Sequence, residues 1–467
     1  MKKTTKLILL GLTTMMIMTF CTQPQPDQHG FTGAAGEVQL ITLAPGHFHA
    51  YLVQKSMYGQ MDPVVHVYAP EGPEIESHIA MIESYNTRPD DPTSWQLVVY
   101  TGPDYLERMI AENRGNVVML AGNNQKKTHY IKTAIEHGFN VLSDKPMVIN
   151  RENFEILKEA FEQAEASGLL LYDIMTERYE ITSALQKELM HIPGIFGELK
   201  KGSIDDPAIV KESVHHLFKY VSGNVLRRPP WFFDVTQQGE GIIDVTTHLV
   251  DLIQWSCFPE EILDYRQDVK MLSASRWPTE VTRGQFESIT RVTDFPDYLA
   301  GNVVNDTILQ VYCNGEMNYT LKGVHARVVV KWDYQAPEGT GDTHYSIARG
   351  SKANLVIRQG EEENFKPVLY IEPLADTDPE AYAAGLPEAF TSVEEKYPGV
   401  AIEPHGHGWV VKVPEHYDVG HEAHFSQVTE KYLRFLIDGK LPDWEVPNML
   451  AKYHTTTRAL EVALENE

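Results

Sequence analysis

The sequence predicts an α/β protein with two domains: an N-terminal doubly wound parallel sheet, and an α+β C-terminal domain with a mostly antiparallel open sheet. From residue 38 to 173, short apolar strands alternate with amphipathic helices, which is typical of a parallel sheet covered on both faces. From about 195 to 415, strands follow one another without regular helices, which favours antiparallel pairing. We therefore expect a first domain over 37–173 and a second over 174–467.

The chain begins with a segment that is separate from the fold. The basic start MKKTTK is followed by a short apolar run that ends at Cys21, the pattern of a bacterial lipoprotein signal peptide. We expect a signal peptide over 1–20, cleavage before Cys21, a lipid on this cysteine, and a lipidated tether over 21–36. The alternative is an ordinary secretory signal cut elsewhere. The protein is thus expected at the periplasmic face of an envelope membrane, attached only through the lipid.

The net charge argues against one class of binding partner, and the positions of the cysteines indicate their chemical state. The formal net charge is -25, and an acidic surface argues against nucleic acid, which binds to basic surfaces. Cys257 and Cys313 are far apart in apolar stretches, so we expect buried free thiols. A homo-oligomer formed through the second sheet is possible, but strand composition does not decide it.

The elements of the first domain follow from its apolar runs. A helical pattern follows each of the first five strands, and in 152–166 Phe154, Leu157, Phe161 and Ala164 recur at steps of three and four along one helix face. The predicted strands are VQLIT, PVVHVYA, WQLVVY, NVVMLA, FNVLS and LLLYD.

The second domain is predicted from strand-like runs bounded by turn residues. Helices are expected near 239–256, 421–438 and 446–465, and residues 359–407, rich in Glu, Pro and Ala, are expected to form a long excursion from the sheet. The predicted strands are GELKKGSI, DTILQVYC, MNYTLKG, ARVVVKWDY, NLVIRQ, PVLYIE and GWVVKV.

The turn LAPGHFHA, residues 43–50, lies between the first strand and the first helix, where a Rossmann fold carries its G-x-G-x-x-G fingerprint. Ala44, Gly46 and His49 take the three glycine positions, so only the middle glycine is kept. We expect an altered dinucleotide site, with contacts from Gly46, His47, Phe48 and His49, in which the histidines could hydrogen-bond the pyrophosphate.

Two further stretches carry residues suited to chemistry. In SDKPMVIN, Lys145 follows a buried strand at the ligand edge of the sheet, and Pro146 restricts its backbone. In GEGIIDVTTHLVDLIQW, Asp244, His248 and Asp251 stand at i, i+4 and i+7 on one face of an apolar helix. Taken singly, these residues could be a surface lysine and a core histidine satisfied by its carboxylate.

Together, the order and spacing of these stretches resemble the glucose–fructose oxidoreductase and inositol dehydrogenase family, known as Gfo/Idh/MocA. NVLSDKPMVIN is similar to its V-L-x-E-K-P segment, and GEGIIDVTTHLVDLIQW to its G-G-G-x-x-x-D-x-G-x-H-x-x-D helix. LLLYDIMTERYE resembles the strand and arginine-containing turn that open the family's second domain, and the resemblance covers residues 37 to 467.

The resemblance implies a Rossmann domain that holds NAD, with NADP as the alternative, facing a cleft closed by the second domain. It implies that Lys145 contacts the substrate hydroxyl near the nicotinamide, and that Asp244 and His248 complete the acid–base set, with His248 accepting the proton. A histidine with its ordinary pKa of about 6.5 suits that task, a lysine favours developing alkoxide, and a carboxylate can orient the imidazole. These three residues are the predicted catalytic set.

The resemblance also assigns binding residues. Asn124 matches the asparagine of the family's T-P-N-x-x-H pattern, Lys127 stands at its histidine, and Glu71 is the acid offered to the ribose. Arg178 and Trp231 are expected to bind substrate with Asp244 and His248, and a stacking platform for a sugar ring or a packed loop are both open for Trp231. The predicted cofactor contacts are Gly46, His47, Phe48, His49, Glu71, Asn124, Lys127, Asp144, Lys145 and Pro146.

No metal is predicted. A late group of histidines could bind one, but its spacings are short and no cysteine joins it, so solvated or substrate-facing side chains are the expectation. These histidines are His405, His407, His416, His421 and His424.

We therefore expect a periplasmic NAD-dependent oxidoreductase that acts on a carbohydrate or polyol hydroxyl and retains its cofactor. One alternative is an NAD-dependent, redox-neutral glycosidase that oxidises a glycoside, eliminates the aglycone and returns the hydride. A second alternative is a sugar-binding lipoprotein that has lost catalysis. In each case the partner is a small carbohydrate or glycoside.

Overall fold

The N-terminal part of the chain forms a six-stranded, all-parallel sheet in a computed structural model that describes residues 30–221 and 224–466. The strand order is β3-β2-β1-β4-β5-β6, so the order reverses between β1 and β4. In such sheets ligands bind at the carboxyl ends of the strands beside this reversal. The strands are β1 Leu40–Leu43, β2 Val64–Ala69, β3 Gln96–Thr101, β4 Val117–Leu120, β5 Asn140–Asp144 and β6 Leu171–Ile174.

Helices connect these strands on both faces of the sheet, which confirms the predicted doubly wound fold. All residues of β1, β4, β5 and β6 are buried, which explains their nearly continuous apolar sequences. The last connecting helix begins after Asn150, whose side chain accepts a hydrogen bond from the Asn153 N–H. The helices are α1 His49–Val53, α2 Pro73–Thr87, α3 Tyr105–Glu112, α4 Asn124–Glu136 and α5 Arg151–Ser167.

The second sheet is mixed and mostly antiparallel, as predicted. Its strand order is β10-β12-β13-β7-β14-β15-β16-β18-β17, with β11 paired to β12. Among the described strands of this second sheet, only the β13–β7 pair is parallel. Its strands are β7 Ile209–Phe218, β10 Val269–Thr282, β11 Val303–Val304, β12 Ile308–Leu321, β13 Val324–Gln335, β14 Thr343–Arg349, β15 Ala353–Arg358, β16 Val368–Pro373, β17 Ala401–His405 and β18 Gly408–Lys412; a separate hairpin joins β8 Tyr220–Val221 and β9 Asn224–Val225.

Helices cover this sheet and connect it to the first one. Short 3₁₀ segments lie at Thr176–Tyr179, Pro230–Phe233, Asp297–Asn302 and Glu415–Tyr417. The α-helices are α6 Ile181–Met190, α7 Val235–Gln238, α8 Thr246–Cys257, α9 Arg283–Thr290, α10 Pro379–Lys396, α11 His421–Asp438 and α12 Glu445–Glu465.

Some sequence predictions for this half were wrong. GELKKGSI is not a strand, since it makes only two isolated bridges, from Leu199 to Gly350 and from Gly202 to Pro207. The predicted excursion over 359–407 contains an 18-residue helix, α10, whose first backbone N–H groups are capped by the Asp378 side chain. DTILQVYC and MNYTLKG are parts of one strand, β12.

The last two helices, predicted as part of the second domain, also pack into the core of the parallel sheet. Phe425 and Tyr432 of α11 and Tyr453 of α12 are fully buried there, next to residues of the first six strands. The chain thus returns to its first sheet at the end, and residues after 173 contribute to both cores.

The remaining sequence predictions concern cysteines and the N-terminal segment. Cys257 is buried and Cys313 partly buried, and both are free thiols. The predicted signal peptide, Cys21 and the tether up to residue 29 lie outside the described residues. Within the described part of the chain, no helix has the length and apolar character needed to cross a membrane.

Candidate active site

A cavity of about 1020 Å³ lies at the carboxyl ends of the parallel strands. One wall comes from the β1–α1 turn, with His47, Phe48 and His49, and from Lys145 after β5. The opposite wall comes from β7, β13 and the loop that follows β13, and the start of α11 completes the enclosure. This volume is at the upper end for a small-molecule site and suits a ligand of several rings.

Lys145 and Asp244 meet in this cavity from opposite sides. The Lys145 Nζ donates to Asp244 Oδ1 at 2.6 Å, and Gln238 Nε2 donates to the other carboxylate oxygen at 3.1 Å. Burial opposes ionisation of Asp244, but the Lys145 charge lowers the pKa of this carboxyl below its usual value. The carboxylate therefore stays charged and orients the ammonium group at the cavity wall.

His248 lines the same cavity one helical turn after Asp244. Its Nδ1 atom is buried and has no hydrogen-bond partner among the described residues. Burial, together with the charge of Lys145, lowers the pKa of His248 to about 4. The imidazole is therefore neutral at pH 7 and has a nitrogen lone pair that can accept a proton.

A buried ion cluster fixes α8, the helix that carries His248. Arg178 donates two hydrogen bonds to Asp251, from Nε at 2.7 Å and from Nη2 at 2.8 Å, and a third to Glu445 at 3.0 Å. Lys452 Nζ donates to Asp251 at 2.9 Å and lies 2.7 Å from Asp173 of β6. The structure therefore contradicts the predicted substrate contact of Arg178, because its guanidinium is fully engaged in this cluster.

Two glycines allow the segment before α8 to lie directly on β12. A Cβ on Gly241 would lie 1.6 Å from the Cys313 carbonyl oxygen, and one on Gly315 would lie 2.6 Å from Ile242 Cβ. Gly241, the second glycine of the GEG stretch, thus serves a close approach of the backbone to β12, three residues before Asp244.

The backbone N–H groups of the β1–α1 turn are bonded to the loop that follows β4. The N–H groups of Gly46 and His47 both donate to the Ala121 carbonyl, at 3.1 and 3.2 Å, and a Cβ on Gly122 would lie 2.3 Å from the Ala44 oxygen. This turn therefore offers a pyrophosphate fewer free N–H donors than a glycine-rich turn does.

The histidines of the turn point to the end of β5. His49 Nδ1 lies 2.9 Å from Asp144 Oδ1, and His47 Nδ1 lies 3.4 Å from Asp144 Oδ2. Burial lowers the pKa of both imidazoles well below the usual value. Both side chains are neutral at pH 7 and rest against one carboxylate.

The positions of two adjoining cavities agree with the path expected for the predicted dinucleotide. A second cavity of about 200 Å³ lies beside the first, lined by the β1–α1 turn and by the start of α2 with Glu74 and His78, and the two cavities share His47 and Phe48. Together they follow the carboxyl ends of β2, β1 and β5, the path of a dinucleotide in this fold. His47, Phe48 and Lys145 would contact it along that path.

Other predicted cofactor residues lie beside or behind this path. Lys127 is buried, and its Nζ donates to the Asp144 carbonyl at 3.1 Å, so it holds the turn before the cis Lys145–Pro146 peptide. Asn124 Nδ2 donates to the Gln238 carbonyl at 2.7 Å. Glu71 is exposed, and Glu74 rather than Glu71 lines the smaller cavity.

Trp231 is not the sugar platform. Its ring lies against Gly46, where an added Cβ would be 3.3 Å away, and its Nε1 donates to Glu74 at 3.1 Å, so it packs over the β1 turn. The aromatic wall of the large cavity is formed instead by Trp332 and Phe232, with ring centroids 6.0 Å apart. In the sequence, Trp332 lies within the predicted strand ARVVVKWDY and carries no local sign of a binding role.

The late histidines separate into two groups. His421 and His424 line the large cavity at the start of α11, whereas His405 and His407 lie at the β17–β18 hairpin and His416 on a 3₁₀ segment. His421 Nδ1 lies 3.3 Å from an oxygen of Glu177, a cavity residue that sequence analysis passed over. The opposite wall adds Lys219 and His215, which meet Asp342 at 2.6 and 3.1 Å.

Family models match both halves of the chain. Residues 46–171 match the model described as "Oxidoreductase family, NAD-binding Rossmann fold", and residues 185–464 match the one described as "Putative oxidoreductase C terminal domain". No curated protein gives a significant match to the sequence.

Solved structures show the same architecture. A "putative oxidoreductase" from Parabacteroides merdae ATCC 43184 is 56% identical with a TM-score of 0.92, over 94% of this chain and 100% of that one. Levoglucosan dehydrogenase in complex with NADH and L-sorbose is 13% identical, with a TM-score of 0.57, over 92% and 97%. The 3-ketoreductase KijD10 from Actinomadura kijaniata, in complex with TDP-benzene and NADP, is 14% identical, with a TM-score of 0.51, over 90% and 96%. At their low identities, the last two show a shared fold.

We predict that Asp251→Asn lowers the free energy of unfolding by about 3–5 kcal/mol, because it removes the buried carboxylate that pairs with both Arg178 and Lys452 and leaves them only Glu445 and Asp173 as partners. Urea unfolding followed by tryptophan fluorescence measures the change. The control is Glu155→Gln, which removes a half-exposed ion pair with Arg151 and should cost about 0–1 kcal/mol. Equal effects of the two substitutions would contradict the structural importance of the cluster.

Proposed function

Because the chain belongs to the Gfo/Idh/MocA family of NAD-binding oxidoreductases, we propose that it interconverts a hydroxyl and a carbonyl group on a carbohydrate or polyol. The observation that supports this proposal is the convergence of Lys145, Asp244 and His248 on one cavity, from two different parts of the fold. NAD supplies the hydride chemistry when bound.

The chain's own residues would handle the proton and the developing charge. The neutral His248 imidazole accepts the O–H proton while the carbon loses hydride, and the alcohol becomes a carbonyl. The Lys145 ammonium favours the oxygen that becomes negative, and the hydrogen bond to Asp244 holds this ammonium at the cavity wall. In the reverse direction the same imidazolium returns the proton.

The far wall suits a hydroxyl-rich ring. Trp332 and Phe232 contribute apolar surface to this wall, and Arg228 packs over both rings, 4.3 Å from the Phe232 centroid. Asp342 and Lys219 add charged hydrogen-bonding groups at the same wall. Sugars bind to such combinations through stacking of their C–H faces and hydrogen bonds to hydroxyls.

We predict that Lys145→Met and His248→Gln each lower kcat by about 10²- to 10⁴-fold, since each removes a group that acts on the reacting oxygen. The measurement is the absorbance of reduced nicotinamide with a panel of sugars and polyols, with NAD binding assayed separately.

Matched controls for this experiment lie away from the cavity. Lys158→Met alters a lysine on α5 that pairs with Glu155, and His405→Gln alters an exposed histidine of β17. Both should leave turnover unchanged. Full activity in Lys145→Met and His248→Gln would overturn the assignment.

A redox-neutral glycosidase is the second candidate. The feature that favours it is the pair Glu177 and His421 in the same cavity, in which the Glu177 carboxylate would orient the His421 imidazole as a proton donor to a departing aglycone. Such an enzyme would release free sugar from a glycoside without accumulation of NADH, whereas a net dehydrogenase would accumulate it.

We predict that NAD copurifies at close to one per chain and survives dialysis. An exported enzyme works where nicotinamide nucleotides are scarce, and retention at nanomolar free NAD requires about -12 kcal/mol of binding free energy. Mass spectrometry of the heat-denatured, dialysed protein measures the content. Complete loss within hours, with activity restored only by millimolar NAD, would contradict retention.

For localisation, the signal-like N-terminal sequence supports a lipid-anchored protein at the periplasmic face of a bacterial membrane. We predict that Cys21→Ser abolishes incorporation of labelled palmitate and releases the protein from the membrane fraction, while Thr22→Ala leaves both unchanged. Palmitate incorporation that persists in Cys21→Ser would refute the anchor.

A further inference from the structure

We propose that His47, His49 and Asp144 form a binding site for one divalent transition-metal ion in the wall of the large cavity. One ligand-competent atom from each residue, two imidazole nitrogens and a carboxylate oxygen, lies within 4.8 Å of the other two. This site goes beyond the proposed redox function and would exist whether or not the enzyme binds NAD.

The separations of the donor atoms suit a shared ion. With metal–ligand bonds of about 2.0–2.1 Å, neighbouring ligand atoms around an ion are about 2.9–3.4 Å apart. The Nδ1 atoms of His49 and His47 lie 2.9 and 3.4 Å from the two oxygens of Asp144. The two histidine rings are nearly perpendicular, with 87° between their planes, so they approach the carboxylate from different directions.

The backbone positions that carry these ligands are held by contacts on every side. Both N–H groups at Gly46 and His47 are bonded to Ala121, which fixes the turn. His49 packs against Phe425 of α11, with ring centroids 4.6 Å apart. Lys127 Nζ holds the Asp144 carbonyl at 3.1 Å. Rigid support of this kind is what metal sites require, because loosely placed ligands lose affinity.

The donor set indicates the class of metal. Two imidazoles and one carboxylate are ligands of zinc, iron(II) and cobalt(II), whereas magnesium and calcium prefer oxygen donors alone. Three protein ligands also leave coordination positions open, and His47 and His49 line the cavity, so these positions would take water or substrate oxygens.

The charges around the site are compatible with a cation. Lys145 and Lys127 contribute positive charge nearby, and Asp144, Asp244 and Glu177 contribute negative charge. Lys145 is already paired with Asp244 at 2.6 Å, so its charge is largely compensated at short range. A divalent ion would thus enter a region with more carboxylates than ammonium groups.

The test uses the full chain after chelator treatment and dialysis, titrated with Zn²⁺ or Co²⁺ alone. We expect one ion per chain by calorimetry, confirmed by metal analysis after gel filtration. X-ray absorption of the zinc-loaded protein should show two imidazole nitrogens with oxygen donors. Binding below stoichiometry, or a spectrum without imidazole, would overturn the proposal even if every variant failed to fold.

The variants are His47→Gln, His49→Gln and Asp144→Asn, each checked by circular dichroism. Each folded variant should lose at least about 100-fold in metal affinity, and His405→Gln should bind as the wild type does. Wild-type affinity in the three variants would place any bound metal elsewhere. NAD binding, measured on the same samples, is judged separately, so failure of one proposal is not mistaken for failure of the other.

Discussion

The buried charges of Arg178 and Lys452, shared among Asp173, Asp251 and Glu445, are the constraint on which the rest of this structure depends. Isolated charges in a protein interior are costly, so each must remain within hydrogen-bonding distance of an opposite one. Asp173 ends the parallel sheet, Asp251 lies on α8, and Lys452 and Glu445 lie on α12. The cluster therefore ties the last strand of the first sheet to the helix that carries His248 and to the final helix of the chain.

The same principle operates at the cavity on a smaller scale. Lys145 directly follows β5 of the first sheet, and Asp244 lies in the segment that precedes α8. The ion pair between them joins two opposite walls of the cavity. Since His248 and Asp251 both lie on α8, the buried cluster that holds Asp251 also fixes the position of His248 in the cavity. A substitution at Asp251 or Arg178, far from the cavity, should therefore alter the positions of the acid–base residues in the cavity.

Much of this arrangement could be predicted from the sequence, because it depends on local patterns. Alternating apolar strands and helices predict the parallel sheet, and the spacing of His248 and Asp251 places both on one helix. The predicted helix near 239–256 begins only at Thr246, so Asp244 lies before it and not on its face. β7 was missed since Lys211 and His216, both buried in the structure, obscure its apolar pattern. Arg178 was assigned to the substrate because its partners, Asp251 and Glu445, are 73 and 267 residues away along the chain. Likewise, no local pattern shows that Trp231 packs on Gly46 and leaves the cavity to Trp332.

In the β1–α1 turn, the position of the ligand-binding site is kept although the glycine fingerprint of the sequence is not. Glycines in this turn normally expose N–H groups to a pyrophosphate. Here two of these groups are bonded to Ala121, and the histidine side chains occupy the space in front of Asp144. The position of the ligand-binding edge is unchanged, because it follows from the strand order. The groups available at this edge are imidazole side chains, where a glycine-rich turn would offer backbone N–H groups. An imidazole binds an anion only when it is protonated or through an N–H group. A neutral imidazole can bind a cation through the lone pair of its other nitrogen. Burial favours the neutral form at both His47 and His49, and this turn is therefore better suited to a cation than the glycine-rich turn it replaces.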